Sequence, residues 1–209
     1  MQQLRIQFLI FFFFLTASFT VFSQNLDITV LRNIHVERDQ NFDSSLKVVT
    51  NSAVPVSIAT PVLLYSIGLI KKDSTLKHKA IFIGEAFLVN AFITKALKVA
   101  VNRTRPFNTY PDINPVVTST GTSFPSGHTS IAFSTATSLS MVYPEWYVII
   151  PSFLWASSVG YSRMHLGVHY PSDVAVGALV GAGSTFITFK VNKWLNKKNR
   201  KPYIHGIKS

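Results

Sequence analysis

The sequence predicts an all-α protein: a polytopic membrane helical bundle of about five membrane helices after an N-terminal signal or anchor. Two observations lead to this prediction. The chain of 209 residues is 47% hydrophobic and only 14% charged, with a mean hydropathy of +0.28, which is more apolar than an ordinary soluble domain. Apolar runs of helical length also recur between short polar segments, at 53–70, 80–101, 129–142, 147–161 and 174–191.

Residues 1–24 are predicted to be a signal peptide or an uncleaved N-terminal anchor. The basic residue Arg5 precedes an apolar tract over 6–22, and Val21 and Ser23 occupy the small-residue positions before a signal-peptidase site. Either interpretation places residue 25 on the outer side of the membrane.

Residues 25–51 are polar, mixed in charge and amphipathic. Their apolar residues recur at helical spacing, so the segment is expected to lie on the periplasmic membrane surface or to cover the bundle. A plain soluble connector fits nearly as well. The apolar positions are Leu26, Ile28, Leu31, Ile34, Phe42 and Leu46.

The five apolar runs form one membrane domain over 52–191. A helix crosses a bilayer core with about 20 residues, and the first, second and fifth runs are long enough. The third and fourth are shorter and predict a tight helical hairpin, because Pro144 ends the helix between them. In the last run Gly177, Gly181 and Gly183 predict close helix packing.

Positive charge sets the expected orientation. Lysines fill the loop 71–79, and the tail 192–209 is basic, so both are expected in the cytoplasm. Loops 102–127 and 162–173 then face the periplasm. This agrees with the orientation that the N-terminal segment predicts independently.

The formal net charge of +11 has several explanations, including nucleic acid, anionic lipid and an anionic substrate. No helix-turn-helix, zinc-ligand or base-stacking pattern accompanies the charge, so nucleic acid is not an expected partner. The chain has no cysteine, which excludes disulfides and thiol chemistry. No obligatory protein partner is evident.

Three polar segments interrupt the apolar runs, and such groups are costly beside hydrocarbon unless they are used. In the first, Lys98 ends a helix and Arg105 follows it, with Pro106 blocking continuation of that helix. Arg103, in the same segment, is expected to extend to the lipid head groups. Glu85, inside the second run, is expected either to be functional or to pair with Lys95 or a polar group on another helix.

In the second segment Ser126 is a candidate N-cap, Gly127 permits close ligand approach, and His128 follows. In the third, His169 lies four residues before Asp173, so the carboxylate can reach the imidazole and leave its other nitrogen free.

Together the segments contain Lys98 and Arg105-Pro106, then Pro125-Ser126-Gly127-His128, then Ser162-Arg163, His169 and Asp173. In order and spacing this set resembles the three signature motifs of the type 2 phosphatidic acid phosphatase (PAP2) superfamily, which shares its core with vanadium haloperoxidases. The resemblance extends from about residue 53 to 191 and implies a PAP2/haloperoxidase-type helical bundle.

The resemblance also implies a role for each matching residue. His169 would be the nucleophile that forms a phosphohistidine, Asp173 would orient it, and His128 would be the general acid. The phosphoryl oxygens would be held by Lys98, Arg105, Ser126, Gly127 and Arg163. No metal and no other cofactor is implied, and His165 remains a neighbour because its spacing to Asp173 does not fit.

The implied function is a membrane phosphatase acting on an outer-leaflet lipid phosphate or diphosphate. Undecaprenyl diphosphate, phosphatidylglycerol phosphate, phosphatidic acid and lipid A all remain open as substrates. The implied location is the bacterial inner membrane, with the active site on the periplasmic side. Two alternatives remain: a vanadate-dependent haloperoxidase, and a catalytically silent bundle that binds or transports lipid phosphates.

Overall fold

A computed structural model of the chain describes residues 26–199, so the predicted signal or anchor at 1–24 and the end of the basic tail lie outside the described residues. Within that range the chain forms helices and loops and contains no strand. The helices are α1 (26–35), α2 (Asp43–Ile70), α3 (Ser74–Val101), α4 (Pro106–Thr109), α5 (Gly127–Val142), α6 (Trp146–His165) and α7 (Pro171–Asn199).

The predicted all-α fold is confirmed. Of the described helices, α2, α3 and α7 are long and apolar enough to cross a membrane. The shorter helices α5 and α6 form the predicted hairpin, and a total of five membrane helices stays a prediction. Helix α7 continues to Asn199, eight residues beyond the end of its apolar run.

The ends of α3 are set by its own side chains. Asp73 Oδ1 accepts hydrogen bonds from the backbone N–H groups of Thr75 (2.8 Å) and Leu76 (3.1 Å) and so caps the start. At the other end Asn102 adopts a left-handed conformation with φ of 47°. The helix therefore stops before Arg103, and Pro106, which was predicted to block it, instead begins α4.

Helix α5 occupies the centre of the bundle, in contact with α2, α3, α6 and α7. Its buried hydroxyls bond to polar groups on its neighbours. Ser130 Oγ donates to Asn90 Oδ1 on α3 (2.5 Å), Thr135 Oγ1 donates to Ser57 Oγ on α2 (2.7 Å), and Ser134 bonds to Thr185 on α7 (3.1 Å). Buried hydrogen bonds therefore connect α5 to each of these three neighbours.

Two glycines bring α7 against α5. A Cβ at Gly177 would stand 2.8 Å from the Ser126 carbonyl oxygen, and one at Gly181 would overlap the Ser130 carbonyl oxygen. The close packing predicted for these positions is present. The same prediction for Gly183 is wrong, because nothing lies within 4 Å of a Cβ placed there.

The predicted amphipathic segment is divided in two. Residues 26–35 form α1, residues 36–39 break the helix, and residues from Asp43 onward belong to α2. The side chains of Leu31 and Ile28 are buried beside Ile113 and Tyr170. Helix α1 therefore lies over the bundle at the end where α3 stops and α7 starts.

The two ends of the bundle carry different groups. At one end Lys79 Nζ lies 4.1 Å from the ring centroid of Tyr143, so the lysine-rich loop and the α5–α6 turn are neighbours. At the other end the C-terminal ends of α3 and α6 meet the N-terminal ends of α5 and α7.

Glu85, inside α3, accepts a hydrogen bond from Asn192 Nδ2 of α7 (2.6 Å). One of the two expectations for this residue was a polar partner on another helix, and Asn192 is such a partner.

Candidate active site

A cavity of about 820 Å³ opens at the end of the bundle where α3 stops and α7 starts. Six of the eight residues predicted for the site line it, although they come from three separate polar segments. Asp173 lies behind His169, and Ser126 is buried and does not line the cavity. The six are Lys98, Arg105, Gly127, His128, Arg163 and His169.

Asp173 holds one side of the His169 ring. Pro171 is the first residue of α7, which places Asp173 in the first helical turn and facing back toward the preceding loop. Its Oδ2 lies 3.3 Å from His169 Nδ1 and also accepts from the backbone N–H of Tyr170 (3.0 Å) and from Ser123 Oγ. The carboxylate is fully buried.

The other nitrogen of His169 faces the cavity cations. Arg105 Nη1 lies 3.3 Å from His169 Nε2. A guanidinium can only donate, so Nε2 must be the acceptor and the ring proton must sit on Nδ1, next to Asp173. The lone pair of Nε2 is therefore directed to the place where an anion would meet Arg105.

Burial lowers the pKa of His169 to about 3; Asp173 acts to raise it, and Arg105 and Arg163 lower it further. The ring is therefore neutral, as a nucleophile must be, across the physiological range.

This pKa has a consequence for stability. Unfolding releases His169 to its ordinary pKa near 6.5, so between that value and the folded value the unfolded state binds the extra proton. The stabilisation is complete above about pH 6.5 and is lost as the pH falls toward 3. We expect the thermal unfolding midpoint in detergent to fall between pH 7 and pH 5, and to fall less in His169→Asn. An equal fall of the unfolding midpoint in the wild type and in His169→Asn would contradict this prediction.

Two cations of the cavity, Arg105 and Lys98, are held by backbone carbonyls. Arg105 donates from Nη1 to Val168 O (2.8 Å), from Nη2 to Thr120 O (3.0 Å) and from Nε to Gly121 O (3.0 Å). Lys98 Nζ donates to Thr122 O (2.8 Å). These bonds fix the charges without neutralising them, so the cavity keeps its positive potential.

Arg163 is nearly fully buried at the cavity wall. Its Nη1 donates to Thr50 Oγ1 of α2 (2.7 Å), and within the described residues its Nε has no hydrogen-bond partner. A buried donor without a partner is unfavourable, and an anion oxygen in the cavity would satisfy it.

The start of α5 contributes His128 and Gly127 to the cavity. A Cβ at Gly127 would lie 3.8 Å from Lys98 Cε, which is ordinary contact. Ser126 occupies the predicted N-cap position of α5, but its side chain makes no cap hydrogen bond, and its Oγ accepts from Thr129 Oγ1 (2.9 Å). The backbone N–H of Ser126 donates to Asp173 O (3.0 Å), so this residue joins α5 to α7.

His165 is separated from the cavity. Its Nε2 pairs with Asp43 Oδ1 (2.8 Å) on α2, and it does not line the cavity wall. It therefore joins α6 to α2.

The sequence interpretation of Arg103 was wrong. Its guanidinium does not extend to lipid head groups but bonds to Asp173, and Ser123, which no sequence pattern singled out, also bonds to Asp173. Neither partner is close in sequence to Asp173, so no local pattern could have found them.

The fold and the cavity define a class: an all-helical membrane protein with two histidines and four lysine or arginine side chains in one pocket at the end of the bundle. The PAP2 superfamily model matches residues 79–197, and the chain belongs to the PAP2 superfamily. With helices long enough to cross a bilayer, it is an integral membrane protein.

Curated proteins with named activities are similar to part of this chain. The undecaprenyl-diphosphatase of Sulfolobus acidocaldarius is 32% identical over 110 residues, 51% of this chain and 52% of that protein. The lipid A 4'-phosphatase of Bacteroides thetaiotaomicron is 34% identical over 91 residues, 41% of this chain and 40% of that protein. The chain therefore spans about half the length of the curated relatives it matches.

The fold is also similar to a solved structure. The crystal structure of Aquifex aeolicus LpxE superposes with a TM-score of 0.67 at 28% identity, covering 79% of this chain and 95% of that one.

Proposed function

We propose that this protein is a membrane phosphatase that hydrolyses a lipid phosphate or diphosphate through a phosphohistidine on His169. One observation carries the proposal: the Nε2 of a neutral, buried histidine faces Arg105 in a cationic cavity, while Asp173 holds the opposite nitrogen. Family membership and the names of the relatives agree with it.

The proposed reaction has two steps. His169 Nε2 attacks phosphorus, the bond from phosphorus to the leaving oxygen breaks, and His128, whose protonated form the anionic phosphate favours once it is bound, gives that oxygen its proton. Water then attacks phosphorus, the bond from phosphorus to His169 Nε2 breaks, His128 takes one proton of the water, and orthophosphate leaves. Lys98, Arg105 and Arg163 stabilise the charge on the transferring oxygens in both steps.

The acid role of His128 predicts an effect that depends on the leaving group. His128→Ala is expected to lower kcat/KM for an alkyl phosphate about 100-fold and for an aryl phosphate much less, because a good leaving group needs little protonation. His78→Ala is the matched control, because His78 lies near the start of α3, at the end of the helix away from the cavity. This variant should affect both substrates equally. Equal losses on the two substrates in His128→Ala would count against the acid role.

The substrate class is tested by orthophosphate release in detergent from undecaprenyl diphosphate, phosphatidylglycerol phosphate, phosphatidic acid and lipid A. We expect release from at least one of them, with the others slower. Binding of a lipid phosphate without any release would support the catalytically silent alternative.

We further propose that the cavity faces the periplasm across a bacterial inner membrane. The lysine-rich loop lies at the opposite end of the bundle from the cavity, and such loops stay in the cytoplasm. Because the chain has no cysteine, Asn114→Cys and Lys71→Cys would each carry a single thiol. An impermeant maleimide should label the first in intact spheroplasts and the second only after permeabilisation, and the reverse order would contradict the orientation.

A further inference from the structure

Arg103 connects α1 to the carboxylate behind His169. Its Nη1 donates to Asp173 Oδ1 (2.9 Å) and to Ser172 Oγ (2.7 Å), and its Nη2 donates to Asp27 Oδ2 (2.7 Å). The guanidinium also lies 3.8 Å from the ring centroid of Tyr170, a cation–π contact. Three bonds and a ring face leave this side chain little freedom.

Asp27 binds the start of α7 as well as Arg103. Its Oδ1 accepts from the backbone N–H of Ser172 (2.8 Å), and its Oδ2 accepts from Ser172 Oγ. A carboxylate at a helix N-terminus is stabilised by the free N–H groups and the helix dipole there. Asp27 is only 7% exposed, and it acts on the helical turn that carries Asp173.

We propose that Asp27 and Arg103 are positioning residues of the catalytic centre, through which α1 sets the orientation and charge of Asp173. A fully buried carboxylate requires a compensating cation. Among residues 26–199, Arg103 is the Lys or Arg side chain that pairs with Asp173. It binds Oδ1 and thereby leaves Oδ2 to His169 Nδ1. This inference rests on the proposed function.

The arrangement is an alternating row of charges. Arg103 lies between the carboxylates of Asp27 and Asp173 and pairs with both, and Asp173 holds the proton of His169. Without Arg103 the carboxylate would lose its compensating cation, and its plane could rotate away from His169. The ring would then be less well oriented for attack, and the phosphohistidine that follows would be less stabilised.

A second ion pair on α1 provides a matched control. Arg32 Nε lies 2.7 Å from Asp112 Oδ2, which also fastens α1 to the loop before α5. Both of its side chains are 44% exposed, and neither touches Asp173 or His169. If the ion pairs of α1 only attach the helix to the bundle, loss of either pair should have the same effect.

The test compares Arg103→Gln, Asp27→Asn and Arg32→Gln on a substrate that the wild type hydrolyses. Partners that orient metal-binding side chains typically contribute about 10- to 100-fold to activity, and we expect effects of this size for the partners of Asp173. We expect kcat to fall about 30-fold in Arg103→Gln and about 10-fold in Asp27→Asn, with KM changed by less than about threefold. Arg32→Gln should stay within about twofold of wild type.

Two further variants separate positioning from folding. Adding Asp27→Asn to Arg103→Gln should lower kcat little further, because both substitutions act through Asp173. Arg103→Lys should recover part of the activity that is lost in Arg103→Gln. Additive losses, or Arg103→Gln and Asp27→Asn behaving like Arg32→Gln while the wild type releases phosphate, would overturn this inference and leave the proposed function intact.

One readout does not depend on turnover. In protein labelled with ¹⁵N-histidine, the Nδ1 proton of His169 should resonate downfield because it is bonded to Asp173. That resonance should move in Arg103→Gln and stay in place in Arg32→Gln. If the wild type releases no phosphate, the proposed function fails, and an unmoved resonance would then overturn the positioning role as well.

Discussion

His169→Ala is expected to lower phosphate release at least about 1000-fold, because the variant removes the atom that attacks phosphorus. The neighbouring groups cannot replace it. Asp173 lies behind the ring and is fully buried, and His165 is bound to Asp43 away from the cavity. The measurement is orthophosphate release on the best substrate of the panel, with the wild type and the variant compared at equal concentrations of monodisperse protein.

Two controls decide what such a loss means. His169→Ala should elute as wild type on gel filtration, because the residue lies in the loop between α6 and α7 and not within a helix. His165→Gln should keep most of its activity, although it loses the hydrogen bond between the imidazole and Asp43. Retention of more than a few per cent of wild-type activity in His169→Ala would place the nucleophile elsewhere.

Arg105→Lys is expected to lower kcat about 100-fold even though the charge is kept. The guanidinium uses all three of its nitrogens: Nε and Nη2 bind the carbonyls of Gly121 and Thr120, and Nη1 reaches both Val168 O and His169 Nε2. A lysine side chain has a single nitrogen, which lies at a different distance from the backbone. It cannot hold the loop and face the phosphorus at the same time.

Arg32→Lys tests the same substitution where geometry matters little. Arg32 and Asp112 form an exposed pair outside the cavity, so activity should stay within about twofold of wild type. If Arg105→Lys also stayed within about fivefold, charge alone would be sufficient at this position, and the two-pronged geometry of arginine would not contribute to the reaction.

The sequence predicted what depends on local spacing. His169 and Asp173 are four positions apart, and Pro171 lies between them. This spacing was enough to predict that the carboxylate of Asp173 reaches the ring of His169, because a helix that starts at Pro171 leaves one geometry for the pair. Lys98 in the last turn of α3 and His128 in the first turn of α5 were likewise placed by the ends of the apolar runs. Helix ends are local properties.

What the sequence could not predict depends on distant residues. Arg103 looked like any basic residue beside a membrane, and its partner Asp27 is 76 positions away. Ser123 lies 50 positions from Asp173. The side chain of Ser126 turned out to face Thr129, because α7 approaches so closely at Gly177 that the serine is enclosed. Such pairings follow from how helices pack, which spacing along one helix does not specify.

The hydroxyl-rich surface of α5 has a consequence for biogenesis. A helix of 16 residues with so many polar side chains gains little from lipid by itself. Its hydrogen-bond partners lie on α2 and α3, which are synthesised earlier, and on α7, which is synthesised later. The polar groups of α5 therefore have all of these partners only after α7 has been synthesised, so we expect stable integration of α5 into the bilayer to depend on α7.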